Sequence, residues 1–268
     1  MSNKDLFDKY YLYKGAWCCK NICKQRELSS NECKALLSRG GYLVRNVFDF
    51  DCSENTSFWY VIKDSSCNIQ DIPSKYRSYV RKALEKFDIR KISNEEMVTY
   101  GYSVYVKASN SYEIESKPVS YDTFKSWYSN SKMDFWGAFD KGTGEMVAYA
   151  TNTINDNYCE YNALKADPYF MKKYYVYYGL IFEMNHFYLE TLGLDFVNDG
   201  ARSISNHSNI QSFLVQKFKF RYAYCRLKVH YKWWLAIIIR ILFPFRKIIK
   251  HNKIQSILNL ELMVRGEI

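Results

Sequence analysis

Lys172 and Lys173 follow Ala166-Asp167-Pro168, where a strand-like run ends and a long helix is expected to begin. Free N–H groups point out of a helix start. Cations beside them make a seat for an anion such as pyrophosphate, with a plain solvated first turn as the alternative reading. Asp199 stands in Asn198-Asp199-Gly200-Ala201-Arg202, where Gly200 permits a tight turn. Its carboxylate is expected to orient Arg202, to bind a sugar hydroxyl or substrate amine, or simply to form the turn. Arg77 and Arg81 share one side of a helix starting after Pro73, as a phosphate or carboxylate ligand pair or as a solvated face. Cys19, Cys23 and Cys33 lack paired Cys-x2-Cys knuckles and a nearby His, so buried or idle thiols are expected and no metal site.

The elements that must position these residues are clearest between Trp136 and Tyr231. Trp136–Phe139, Met146–Thr153 and Tyr158–Leu164 read as strands, with Lys141-Gly142-Thr143-Gly144 as the hairpin turn between the first two. A helix of some twenty residues then crosses to Asp195–Asn198, a parallel neighbour of the third strand. A short helix and a closing strand pair follow. Tyr177, Ile181, Met184 and Tyr188 recur at helical spacing and read as a core-facing stripe rather than a cofactor box. Upstream, Ser74 is the expected cap of a helix over 75–87. A short strand Ile89–Ile92, a helix from Ser93 to about Ala108 and another over Tyr121–Tyr128 come next.

Residues 1–72 form an N-terminal extension with strand-like pieces at Tyr42–Phe48 and Phe58–Ile62, and they carry no assigned activity. The organisation reads as this extension, a domain over 73–232 and a C-terminal basic amphipathic segment over 233–268. The apolar run Trp233–Phe245 is interrupted by Arg240 and Pro244 and is too short to cross a bilayer. With Arg240, Lys247, Lys250 and Lys253 it reads either as a helix lying on a membrane surface, in contact over 233–253, or as a helix packed on its own domain.

The 268 residues include 48% hydrophobic and 18% aromatic side chains, which excludes a disordered or low-complexity chain. The formal charge of +10 predicts an anionic partner such as nucleic acid, a phosphate-bearing co-substrate or an anionic membrane face. Eight cysteines behind a Met-Ser-Asn-Lys-Asp start without an apolar signal core point to a reducing cytoplasm, on the inner face of the membrane if the C-terminal helix docks there.

The order of strand, two helices, three antiparallel strands, long helix, strand, helix and closing strands over roughly 88–231 resembles the GNAT acyltransferase fold. The segment Pro73–Ala83, the strand Met146–Ala150, Leu192-Gly193-Leu194 before Asn198-Asp199-Gly200, and Phe213–Phe218 before Phe220 resemble its Fem-type branch. That branch includes peptidoglycan-bridge aminoacyltransferases and acyltransferases of surface-polysaccharide synthesis. The resemblance implies an α/β (α+β) fold: a mixed, mostly antiparallel sheet with a splayed central strand pair and flanking helices. It also implies that no cofactor stays bound and that acyl-CoA, or alternatively aminoacyl-tRNA, is the co-substrate. One departure stands out. Where GNAT proteins carry Gln/Arg-x-x-Gly-x-Gly/Ala, this chain has Lys165–Lys173 and no glycine until Gly179, so its backbone cannot approach a phosphate as closely. Fem-type relatives also tend to lack that loop, and some use aminoacyl-tRNA.

On this resemblance the acyl donor lies between Tyr158–Leu164 and Asp195–Asn198, where the strands splay. Amine attack on a thioester or ester needs a base, oxyanion donors and an acid. Glu160 and His207 are the candidate bases, with a surface strand position and a helix-start hydrogen bond as their plain alternatives. Tyr161 or Tyr149 is the candidate acid, and Asp199 completes the catalytic set. Lys172, Lys173, Tyr174 and Asn162 are expected to hold the donor. Arg77, Arg81, Tyr149, Arg202 and Lys217 are expected to hold the acceptor, Lys217 standing in a Phe-Lys-x-x-Phe-Gly-like segment where Lys219 replaces Gly. The function implied is N-acyl transfer to an amine of a sugar nucleotide or lipid-linked cell-envelope saccharide, with CoA or tRNA rather than DNA as the anionic partner. Two other readings are an RNA- or tRNA-binding module without catalysis and an acyltransferase-like partner protein that has lost its chemistry.

Overall fold

A computed structural model describes residues 3–111, 117–204 and 210–266. In chain order the elements begin α1 (Asn3–Lys9), β1 (Tyr10–Tyr13), β2 (Ala16–Cys19), α2 (Ser30–Ser38), β3 (Leu43–Phe48) and β4 (Phe58–Lys63). Next come α3 (Ser74–Lys86), β5 (Phe87–Ile92), α4 (Asn94–Asn110), α5 (Tyr121–Tyr128), β6 (Asp134–Asp140), β7 (Met146–Ile154) and β8 (Tyr158–Ala166). The chain continues with α6 (Pro168–Tyr174), α7 (Val176–His186), β9 (Phe196–Ala201), α8 (Ile210–Phe218), β10 (Arg221–Tyr231), α9 (Trp233–Leu242) and α10 (Asn252–Val264).

These elements fall into two compact units that interleave in sequence. One comprises Met1–Val61, Ala201–Ser208 and Tyr222–Ile268, and the other Ile62–Gly200 and Asn209–Arg221. The linear boundaries at 72 and 232 suggested by composition differ from this division. The physical reason is strand pairing: β10 runs antiparallel to β3 from Arg226↔Phe48 to Tyr231↔Leu43, which joins the two ends of the chain in one sheet. The closing strand pair expected from sequence is thus a single strand whose partner lies far upstream.

In the first unit β1 and β2 form a hairpin, with Tyr10↔Cys19 and Tyr13↔Ala16, and β2 runs parallel to β3. Leu6, Trp17, Leu36 and Val44 pack beneath it. A second small core joins Leu235 and Ile239 of α9, with Phe243 just after its end, to Leu258 of α10. Burying such side chains contributes roughly 1.5–3 kcal/mol each.

In the second unit β5, β6, β7 and β8 pair antiparallel in that order, and β8 pairs parallel with β9, which gives the mixed, mostly antiparallel α/β arrangement expected. Gly144 adopts φ +74° in the β6–β7 turn, a conformation that suits glycine. Ser93 caps α4 through a reciprocal bond pair with Glu96, and Ser120 caps α5. Ser74 does not cap α3; it is the helix's first residue, with Pro73 at the cap position. Phe124 of α5 packs on Phe135, Met146 and Tyr149, so α4 and α5 cover one face of β6 and β7.

The expected twenty-residue crossover helix is broken. Tyr175 takes φ 59°, ending α6 and starting α7, and a π-helical turn over Phe187–Thr191 follows. At the start of α7 a Cβ on Gly179 would lie 2.7 Å from Ile89 Cδ1 and 2.9 Å from Ala83 Cβ. That glycine serves close packing of α7 on α3 and β5.

Candidate functional site

Strands β8 and β9 share only the pairs Tyr158↔Phe196, Cys159↔Val197 and Glu160↔Asn198. Past Glu160 and Asn198 the ladder ends, while β8 continues to Ala166 along β7. The β7–β8 register also shifts here: Asn152 lies opposite Tyr161 and Thr151 opposite Ala163, leaving Asn162 as the extra residue of a bulge. Bulge and ladder end together open the sheet at Tyr161 and Asp199, which is the strand splay anticipated from sequence.

The β9 sequence makes its own bend. Asn198 is fully buried, and its Oδ1 accepts the Gly200 N–H at 2.9 Å, closing a turn that Gly200 completes at φ +91°. Asp199 sits in the middle of that turn, half-buried, without a hydrogen-bond or ion-pair partner among the described residues. Burial raises its carboxyl from 3.8 to about 7, with no offsetting cation among the described residues. Such a carboxylate is poised to take a proton near neutral pH.

The Tyr161 phenol lies within electrostatic reach of Asp199, and burial holds it well above the usual tyrosine range. Its hydroxyl donates to Asn185 Oδ1 on α7 at 2.7 Å, and Phe220 and Tyr188 flank its ring. The proton of Tyr161 is therefore committed, which suits a positioning residue better than a leaving-group acid. Behind it runs a chain of polar side chains. Tyr188 donates to Asp134 Oδ2 at 2.6 Å and accepts from Trp136 Nε1 at 2.9 Å and Asn152 Nδ2 at 3.1 Å. Lys91 holds the other Asp134 oxygen at 2.6 Å. Asn152 Oδ1, Asn185 Nδ2 and Asn198 Nδ2 are buried without a hydrogen-bond partner among the described residues. Each such orphan normally costs about 1–3 kcal/mol, so three around one strand opening mark a site built for something other than stability.

The remaining sequence candidates divide sharply. Glu160 lies on β8 at the last paired position and, by strand alternation, on the opposite face from Tyr161. His207 lies outside the described residues. Tyr149 is a buried ring packed against Phe124 in the core beneath α5. Asn162 donates to Thr153 Oγ1 at 2.7 Å. Arg77 spends its guanidinium on the carbonyls of Ile72 and Gln70, at 2.8 and 2.7 Å, whereas Arg81 is exposed and makes no ion pair among the described residues. Arg202, which belongs to the other unit, donates to Ser57 O at 2.6 Å and stacks on Trp59, so Asp199 is not shown to orient it. Lys217 donates to the Tyr76 hydroxyl and lies 4.1 Å from the centre of its ring.

Lys172 and Lys173 are displaced from the expected anion seat. They occupy the last turn of α6, and the first turn is capped by Asp167, whose Oδ1 accepts the Tyr169 N–H at 2.9 Å and whose Oδ2 pairs with Lys107 at 3.0 Å. Lys173 bonds the Tyr169 hydroxyl at 2.9 Å, and the Tyr174 ring packs edge-on to Phe87. At the α7 start Tyr175 stacks on Tyr79 with centroids 4.1 Å apart. An aspartate on the α6 start and a stacked tyrosine at the α7 start do not fit a standard pyrophosphate seat for CoA.

No protein-family model and no curated protein matches the sequence. Solved structures do match. The C-terminal domain of a protein assigned as a lysylphosphatidylglycerol synthetase from Agrobacterium fabrum aligns over 97% of this chain and 86% of its own, at 9% identity and TM-score 0.54. The L-PGS of Bacillus licheniformis aligns over 84% of this chain and 72% of its own, at 10% identity and TM-score 0.49. FemX aligns over 72% of this chain and 65% of its own, at 11% identity and TM-score 0.48. The first of these carries the fold comparison: the chain shares that domain's mixed α/β fold, with the strand order and the splayed pair described above.

Proposed function

We propose that the protein is an aminoacyltransferase that seats an activated carboxyl group beside the opened end of β8 and passes it to an amine. Asp199 takes the amine proton. In the step, the amine nitrogen attacks the ester carbonyl carbon, its proton goes to the Asp199 carboxylate, the carbon–oxygen bond breaks, and the departing alkoxide takes that proton back from the Asp199 carboxyl to leave as a hydroxyl. Beyond Glu160↔Asn198 the β8 edge has left its β9 ladder, so its backbone N–H groups are suited to the developing oxyanion. The observation that carries the reading is a partnerless carboxyl raised to about 7 at the mouth of that opening.

An aminoacyl ester on tRNA is the donor this chemistry favours over acyl-CoA. The α6 start is closed by its own aspartate, the net charge is +10, and the structural relative is the C-terminal domain of a protein assigned as a lysylphosphatidylglycerol synthetase. Arg81 and Lys172, both exposed, are suited to its phosphates. The acceptor is the amine of a lipid-linked or nucleotide-linked saccharide, met at an anionic membrane face that residues 233–253 contact.

Incubation with radiolabelled aminoacyl-tRNA, acetyl-CoA and longer acyl-CoAs tests this. Saturable binding of charged tRNA and label transfer to a saccharide amine is the expected result. Label taken only from CoA would overturn the donor assignment. No binding of any donor at low salt would remove the transferase reading, and salt-sensitive RNA binding without turnover would favour a binding module.

A further inference from the structure

We infer that the membrane contact is a composite surface, in which the β1–β2 hairpin and Tyr42 join α9 in one apolar patch with a cationic collar fitted to an anionic bilayer. This extends the contact named above to a part of the chain that the proposed chemistry leaves without a role. All of its residues lie in one compact unit.

Helix α9 is apolar on two sides. Leu235, Ile239 and Phe243, four residues apart, face α10 and are buried, whereas Trp233, Ile237 and Ile241, also four apart, point away from it and are exposed, Trp233 at 77%. A helix packed only on its own domain has a polar outer side, and this one is apolar there except for Arg240. No helix among the described residues is long and apolar enough to cross a membrane, so the outer side suits lying on a surface.

The patch continues without a gap into the hairpin. The Tyr42 ring lies 6.0 Å from Trp234, edge to face, and the Lys232 N–H donates to Tyr42 O at 2.9 Å. A Cβ on Gly15 would meet the Tyr42 ring at 2.5 Å, and one on Gly41 would meet Leu12 Cδ1 at 2.8 Å, so Leu12 and Tyr42 rest on the two glycines. Tyr13 and Tyr42 are 54% and 55% exposed. Tyrosine and tryptophan are the side chains that suit a layer apolar at one end and wet at the other.

Charge selects the lipid. From Val229 to Leu260 the chain carries six Lys and Arg residues and no Asp or Glu, and Lys9–Lys20 likewise contains no acid. Lys14 is exposed at the hairpin tip, and Lys232, Arg240, Lys247, Lys250 and Lys253 make no ion pair among the described residues. Basic residues beside exposed isoleucines match anionic headgroups over acyl chains; a nucleic acid offers nothing for the isoleucines to bury against.

Vesicle sedimentation of the full chain tests the proposal, using phosphatidylcholine alone and phosphatidylcholine with phosphatidylglycerol. The wild type is expected to bind the anionic vesicles ~100-fold more strongly. Leu12→Ser/Tyr13→Ser and Trp233→Ser/Ile241→Ser should each lower that binding ~10-fold or more, with unchanged melting temperature and unchanged transfer to a soluble amine. Full binding by the Leu12/Tyr13 variant would sink the composite surface while sparing the transfer chemistry. Equal binding to neutral vesicles would refute the charge selection. A wild type that ignores both vesicles and instead dimerises, or loses tRNA binding on Trp233→Ser/Ile241→Ser, would assign the patch to a second copy or to nucleic acid.

Discussion

The opened end of β8 and the outer side of α9 break the same rule in opposite directions. In the first, Asn152, Asn185 and Asn198 are fully buried, each with a side-chain atom lacking a partner among the described residues, beside a carboxyl that burial raises. In the second, tryptophan and isoleucine stand in solvent among lysines and arginines. Polar groups normally find partners when buried, and large apolar patches are normally covered. Each inversion carries a stability cost, and each indicates what the region meets: a polar reacting group in one case, a lipid layer in the other.

The sharpest way to break this contrast is Asp199→Asn. It should lower the transfer rate about 100- to 10,000-fold while leaving donor affinity within about threefold, as equilibrium binding alongside single-turnover assays would show. Full activity would make Asp199 a turn residue and nothing more.

Tyr188→Phe comes next in size. It strips Trp136, Asn152 and Asp134 of a shared hydroxyl, so urea unfolding should reveal a loss of about 2–4 kcal/mol. A loss below ~0.5 kcal/mol would mean that the polar chain does not brace the site.

A smaller effect tests the cost of the unpartnered carboxyl. Because its folded pKa is raised from 3.8 to about 7, the stability Asp199 confers as a neutral group is present below about pH 4 and is lost as pH climbs through about 7. Asp199→Asn should therefore melt with the wild type near pH 4 and be more stable by ~1–3 kcal/mol at pH 8. Equal melting at pH 8 would show that the carboxyl is not desolvated.

The smallest pair separates two arginines on one helix. Arg77→Ala should cost ~1 kcal/mol of stability with donor binding intact, since its partners are carbonyls of its own unit. Arg81→Ala should leave stability alone, weaken charged-tRNA binding ~3-fold and flatten its salt dependence. The reverse outcome would exchange their roles.

The strand order was readable because local signals agreed: strand-like runs at Met146–Thr153 and Tyr158–Leu164, a glycine turn before them, and Asn-Asp-Gly after the crossover. The break at Tyr175 was not, because a left-handed tyrosine carries no glycine to announce it. That break moved Lys172 and Lys173 from a helix start to a helix end. The pairing of β10 with β3 escaped notice because strand partners far apart in sequence leave no periodic trace. Within the site, Asp199 stood out by its turn, but Asn152 and Asn185 resembled ordinary polar residues until tertiary packing buried them. An asparagine inside the apolar run Val176–His186 was the one available clue. Which side of α9 stays exposed depends on what α10 covers, and the hairpin's share of the patch depends on contacts made through Gly15 and Gly41.

The most direct measurement is the pH dependence of single-turnover aminoacyl transfer by the wild-type chain, with donor binding followed at each pH. Deprotonation of Asp199 should make the rate climb about tenfold per pH unit below about 7 and level off above it, while donor affinity stays flat. A rate that ignores pH between 5 and 8, on the order of three units around that value, or one whose rise survives Asp199→Asn unchanged, would contradict the assignment of Asp199 as the group that takes the proton.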